Sequence, residues 1–301
     1  MSLRPVKRIS PAQLTMEGAG VRLHRAFGFG KTEEFDPFLL FDDFRNDNPE
    51  DYLRGFPWHP HRGIETITYV LAGNVSHGDS LGNKGTLGAG DVQWMTAGSG
   101  ILHQEMPKGD EAGRMHGFQL WANLPSSHKM THPRYQDVPS AEIPVVTDDA
   151  GTSVRIICGD FRGKKGPVEG IAADPRYLDV SVPPGKTATL AVETNRHAFA
   201  YVFEGTGSFR NASAPMATRT ERIGAAGEET IDLAGNRSTI LFDNGDEVTV
   251  RAGEKGIRFL LVSGKPLQEP VAWSGPIVMN TEEELRQAYA DLRTGNFIRE
   301  R

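Results

Sequence analysis

The chain is 301 residues long, 38% hydrophobic and 24% charged, with a formal net charge of −6. At roughly 100–200 residues per domain this length points to two domains, and the interspersed acidic and basic residues leave no basic face for nucleic-acid backbone. The single cysteine, Cys158, excludes an internal disulfide and fits a reducing compartment. Met1-Ser2-Leu3-Arg4-Pro5 begins the chain without an apolar signal core, and no run approaches the ~20 apolar residues of a membrane span, so a cytoplasmic protein without a membrane partner is expected.

In chain order, short runs rich in β-branched and aromatic residues predict strands at 64–71, 92–95, 117–124, 154–158, 178–182, 187–192, 198–203, 239–242, 247–251 and 257–262. Strands at this density indicate an all-β sandwich or barrel. Seven glycines between Gly78 and Gly100 suit turns of positive φ, and no helix pattern follows them to make a phosphate loop. Residues 125–149 carry four prolines and read as the separator of two halves: an N-terminal metal-binding barrel over 1–132, a linker over 133–149, and a C-terminal barrel over 150–301. Near the end, Thr281 and Glu284 form a capping box ahead of a helix with Leu285, Ala288, Tyr289 and Leu292 on one face, and Gly295 is its stop. Cys158 follows Ile156 and Ile157, the setting of a small buried apolar residue.

Two pairs of side chains carry the chemistry. His59 and His61 lie in Phe56-Pro57-Trp58-His59-Pro60-His61-Arg62-Gly63, and His103 and Glu105 lie in Gly100-Ile101-Leu102-His103-Gln104-Glu105. On a strand, residues two apart share a face, so two such strands facing one interior would present three imidazoles and a carboxylate to one ion. The intervening length is enough for the strands of a barrel with a ligand-lined mouth. These ligands suit a divalent first-row metal with open positions for substrate and dioxygen. Iron(II) is the first choice for oxygen chemistry, and manganese, nickel, copper, cobalt and zinc also fit. A structural zinc site is disfavoured because such sites use cysteine. The plain alternative is that these histidines are polar residues near a barrel rim.

Of the nine histidines, His24, His77, His116, His128, His132 and His197 lack this paired spacing, and His197 alone follows residue 132. The second half therefore cannot build a three-histidine site. Glu65 has the parity of His59 and His61 and is expected to face the same cavity as a ligand, an acceptor for an imidazole N–H, or a base. Phe56, Trp58, Tyr69, Trp94, Phe118 and Trp121 are expected in the core, some of them walling an apolar pocket, with Trp58 directed away from the ligands beside it.

The chain resembles the pirin family of the cupin superfamily. The resemblance rests on His59-Pro60-His61-Arg62-Gly63-Ile64-Glu65-Thr66, on Gln93-Trp94-Met95-Thr96-Ala97-Gly98 leading to Ile101-Leu102-His103-Gln104-Glu105-Met106-Pro107, and on Gln119-Leu120-Trp121-Ala122-Asn123-Leu124-Pro125. It implies a bicupin, two β-barrel domains with a short C-terminal helix, and one metal held by His59, His61, His103 and Glu105. It also implies terminal segments that pack across the domains, and it leaves Glu65 outside the direct ligands. Two function classes follow from it. In the first, the protein is a quercetin 2,3-dioxygenase that opens the central ring of a flavonol with O2 and releases carbon monoxide, with Glu105 or Glu65 as base. In the second, it is a metal- and redox-dependent partner of a transcription factor or metabolic enzyme.

Overall fold

The computed structural model describes residues 2–209 and 233–299, so the C-terminal unit expected over 150–301 includes positions outside the described residues. The first half is built from strands β1 (Val6–Pro11), β2 (Gln13–Glu17), β3 (Val21–Phe27), β4 (Phe38–Asp43), β5 (Phe56–His61), β6 (Ile64–Ala72), β7 (Asn74–Asp79), β8 (Lys84–Leu87), β9 (Val92–Thr96), β10 (Ile101–Lys108), β11 (His116–Asn123) and β12 (Arg134–Val138). Seven of these make one antiparallel sheet in the order β12-β9-β6-β11-β4-β3-β2, and four make a second, β5-β10-β7-β8. Thr68 on the larger sheet donates to Glu105 on the smaller one at 3.1 Å, so the two sheets enclose a common interior.

The second half curls a nine-stranded sheet into a barrel, and β1 joins that sheet by pairing with Ser238–Phe242. The cross-domain packing of the first strand is thus present. The runs expected at 247–251 and 257–262 form one strand, Glu247–Gly264. Across the intervening Gly253 and Gly256, the latter with φ +79, the strand continues and changes partners: Thr187–Ala191 pairs with its first part and Arg176–Val182 with its last.

Alternation along the strands sorts side chains between a barrel interior and the space between the barrels. Ala198, Ala200 and Val202 pack into the second barrel's interior with Val250, Phe259 and Leu261. Phe199, Tyr201 and Phe203 from the same strand face the first barrel, where Phe41, Ile67, Tyr69, Trp94, Phe118 and Leu120 meet them. The interface also carries polar ties. Tyr69 donates to Asp179 at 2.7 Å, and Tyr201 to Asp43 at 2.8 Å. Cys158 is buried in this layer and burial pushes its thiol up to about 12, which is the inert apolar role expected.

Of the seven glycines between 78 and 100, four, Gly82, Gly90, Gly98 and Gly100, have positive φ. Gly85 is small for another reason: a Cβ there would lie 2.4 Å from the His77 Nε2 atom. The C-terminal helix is Glu282–Thr294, with both halves of the Thr281–Glu284 capping box formed and Gly295 in the left-handed conformation. Among the described residues, no helix is long and apolar enough to cross a membrane.

Candidate metal centre

β5 and β10 run antiparallel with His59 directly opposite His103 and with His61 opposite Ile101. A directly opposed pair brings side chains within contact range, and the i, i+2 spacing brings His61 in beside them. The ring centroids are 4.3 Å apart for His59 and His103, 4.8 Å for His59 and His61, and 5.0 Å for His61 and His103. Their candidate ligand atoms all lie within 4.8 Å of one another, and among the described residues these three alone form such a group.

The arrangement fits a cation. His59 Nδ1 lies 2.8 Å from the Pro57 carbonyl oxygen and His61 Nδ1 lies 3.1 Å from that of Pro276. A carbonyl accepts only, so each Nδ1 carries the proton and each Nε2 presents a lone pair. Those two Nε2 atoms are 3.1 Å apart. Facing lone pairs repel unless a positive ion joins them, and nitrogens sharing an ion at about 2.0–2.1 Å stand roughly 3 Å apart. Both ring nitrogens of His103 are buried without a hydrogen-bond partner. Burial pushes the His61 imidazole down to about 3 and His103 well below its ordinary value, so both stay neutral, as ligation requires.

Glu105 stands beside this group. It is buried, lines the same cavity as His59 and His61, and accepts from the Thr68 hydroxyl at 3.1 Å. Burial pushes its carboxyl above the usual carboxylate range. A register shift between His103 and Glu105 interrupts the strict i, i+2 geometry, and Glu105 falls outside the tight histidine group.

Glu65 does not line the cavity. The parity argument carried His61 to Glu65 along one strand, but β5 ends at His61 and Gly63, with φ +78, turns the chain into β6. On β6 it is Thr68 that reaches Glu105, whereas Glu65 shares the face of Ile67 and Tyr69, which pack between the barrels. Its carboxylate accepts from Thr96 at 2.7 Å, and burial pushes its pKa up.

The cavity has a volume of about 590 Å³ and runs from the histidines outward between aromatic walls. Trp121 lies edge-on to His61 at 5.1 Å and also lines the cavity. Trp58, expected to point away, is 54% exposed and stands at the cavity rim. Trp273, Gly275 and Pro276 form the remaining wall, and these belong to a C-terminal strap that sequence spacing could not connect to the site. The strap is bolted to the turn after His61. Arg62 is buried and donates to Ser99 O at 2.7 Å, to Asp291 at 2.7 Å and to Phe297 O at 3.0 Å. Lys129 is buried and donates to Gly63 O at 2.8 Å, Asn123 Oδ1 at 2.5 Å and Val278 O at 3.0 Å. Burial pulls the Lys129 ammonium down to about 7.

The pirin family model matches residues 20–122, and the model of the pirin C-terminal cupin domain matches 177–298. The chain belongs to the pirin family. A pirin-like protein of Caulobacter vibrioides is 44% identical over 298 residues, covering 99% of this chain and 100% of the relative. A quercetin 2,3-dioxygenase structure from Acinetobacter baumannii superposes with a TM-score of 0.84 at 30% identity, covering 98% of this chain and 99% of that one. The fold is shared as well by the Escherichia coli pirin YhhW in complex with nickel(II), at 20% identity and a TM-score of 0.63, over 86% of this chain and 99% of that one. As a pirin the chain is an all-β bicupin, with its histidine group in the first cupin.

Proposed function

We propose that this pirin is a metal-dependent dioxygenase acting on a flavonol of the quercetin type, with His59, His61, His103 and Glu105 holding one divalent ion. The facing Nε2 lone pairs of His59 and His61, with the partner-less ring nitrogens of His103 beside them, are the observation that carries this reading. It is supported by a neighbouring cavity of about 590 Å³ with aromatic walls, in the range that small-molecule sites occupy. The Acinetobacter quercetin 2,3-dioxygenase, alike over nearly its whole length, adds the reaction type. Iron(II) is the proposed ion. When bound, it supplies Lewis acidity toward a substrate hydroxyl and open positions beside it.

The chain's own residues would do the rest. Trp121 and Trp273 hold a flat ring system against the histidine group and exclude water. Glu105 takes the proton of the flavonol 3-hydroxyl: Thr68 orients its carboxylate, and burial makes it a stronger base than an exposed glutamate. The resulting flavonol anion is the electron-rich species that reacts with O2, opening the central ring and releasing carbon monoxide. Glu105 serves this role in preference to Glu65, which lies on the other face of its sheet. The test is oxygen uptake by the iron-loaded protein with quercetin, run beside His103→Ala. Uptake that vanishes in the variant is expected; no uptake from fully iron-loaded wild type would overturn the enzymatic reading.

A further inference from the structure

Beside Trp121 on the same sheet, the cavity wall continues as a row of polar residues. Thr68, Gln119, Asp42 and Arg25 stand opposite one another in register across β6, β11, β4 and β3. The row begins at Glu105, which accepts from Thr68, and Gln119 approaches the same hydroxyl at 3.4 Å. It ends where Arg25 grips Asp42 with two hydrogen bonds of 2.8 and 2.7 Å and pairs with Glu17 at 2.8 Å. Gln119, Asp42, Arg25 and Glu17 all line the cavity. At about 4.8 Å per strand, Gln119 and Arg25 are roughly 10 Å apart, a span on the scale of a multi-ring aromatic molecule.

The charges decide what this end accepts. One guanidinium faces two carboxylates, so the group is net negative and already satisfies its only cation. A ligand carboxylate or phosphate would meet a neutralised arginine and two like charges. A neutral hydroxyl, in contrast, finds acceptors in Asp42 and both a donor and an acceptor in the Gln119 amide. Burial pushes Asp42 up to about 6, leaving it ionised at neutral pH and short of hydration.

Building on the flavonol reading of the site, we infer that Asp42 and Gln119 are specificity-determining residues that recognise neutral hydroxyl groups other than the 3-hydroxyl, Gln119 those nearer Glu105 and Asp42 those at the far end of the row. The substrate class narrows accordingly to polyhydroxylated flat aromatics without an anionic substituent at that end.

The experiment is calorimetric binding to the iron-loaded protein without oxygen, so that no turnover intervenes. The ligands are quercetin, 3-hydroxyflavone, which keeps only the 3-hydroxyl, and 3-hydroxyflavone bearing a 4′-carboxylate. Wild type should bind quercetin about tenfold more tightly than 3-hydroxyflavone, and the carboxylate should bind more weakly than either. Asp42→Asn should close most of the gap between quercetin and 3-hydroxyflavone while leaving 3-hydroxyflavone affinity unchanged. A purely structural role would weaken both ligands alike. Gln119→Leu keeps the Arg25–Asp42 pair and should also narrow the gap, which covers the case that Asp42→Asn does not fold. Equal affinity for the two ligands in wild type, a gap retained in both variants, or preference for the carboxylate would overturn the inference. Failure of every flavonol to bind would overturn the flavonol reading and this inference with it.

Discussion

The interior of the second barrel is filled by Ala200, Val202, Val250, Phe259 and Leu261, all essentially excluded from solvent. The corresponding space in the first barrel is lined by His59, His61, Glu105, Gln119 and Asp42, and holds a cavity of about 590 Å³. Both halves use antiparallel strands, and both send aromatic side chains outward into one shared layer. The difference that bears on the site lies in the inward positions. Packed aliphatic side chains there stabilise a fold, and polar ones left without partners cost stability and are retained for chemistry. The second barrel lends the first a rigid back through the shared layer, and the C-terminal strap at 272–279 lends it a wall.

The comparison can be broken most directly by making the second interior polar. Val250→Asp would bury an unpaired carboxylate and should cost more than about 4 kcal/mol, enough to unfold that barrel in a calorimetric scan; survival with a small Tm shift would mean that the interior is wetter than its packing shows. The next effect concerns the strap. Gly63 has φ +78 and a Cβ there would stand 1.9 Å from Val278 O, so Gly63→Ala should destabilise by about 3 kcal/mol and weaken metal retention at the same time. Unchanged chelator resistance in a folded Gly63→Ala protein would separate strap from site.

A third substitution runs the other way. Because His103 is buried with both ring nitrogens unpaired, His103→Leu should stabilise the metal-free protein by about 1–2 kcal/mol while abolishing metal uptake. A loss of metal-free stability would show that the histidine group is held by contacts of its own. The last effect is a pH dependence, the smallest within any one pH unit. With its pKa lowered to about 7 in the fold against 10.5 when unfolded, Lys129 loses its proton in the folded state above that pH, and with it one of its three donor hydrogens, while the unfolded chain keeps the proton across that window. The unfolded state then binds the extra proton, so stability from this group rises as pH rises from about 7 toward 10. Urea titrations should show wild type gaining on Lys129→Met by at most about 1.4 kcal/mol per pH unit over that range; parallel curves would place the lysine's pKa elsewhere.

Sequence reached the histidine group because its geometry is local. Two i, i+2 pairs on strands need only one pairing, His59 opposite His103, to converge. The capping box at Thr281 and the strand pattern were legible for the same reason. Glu65 was misplaced because parity counting fails across a tight turn, and Gly63 was the residue that marked it. Trp273, Pro276 and Lys129 were out of reach because nothing local ties positions 129 and 272–279 to position 61. Gln119 reads as an ordinary strand residue and Arg25 and Asp42 lie outside the strands expected from sequence, so only the register of β3, β4 and β11 aligns them into a row.

On the proposed reading, the first barrel alone holds the ion. The measurement is metal content per chain, by elemental analysis after iron loading and desalting, for wild type, His103→Ala and His197→Ala. The account predicts close to one iron per chain in wild type and in His197→Ala, and close to none in His103→Ala. Equal metal in all three proteins would contradict it.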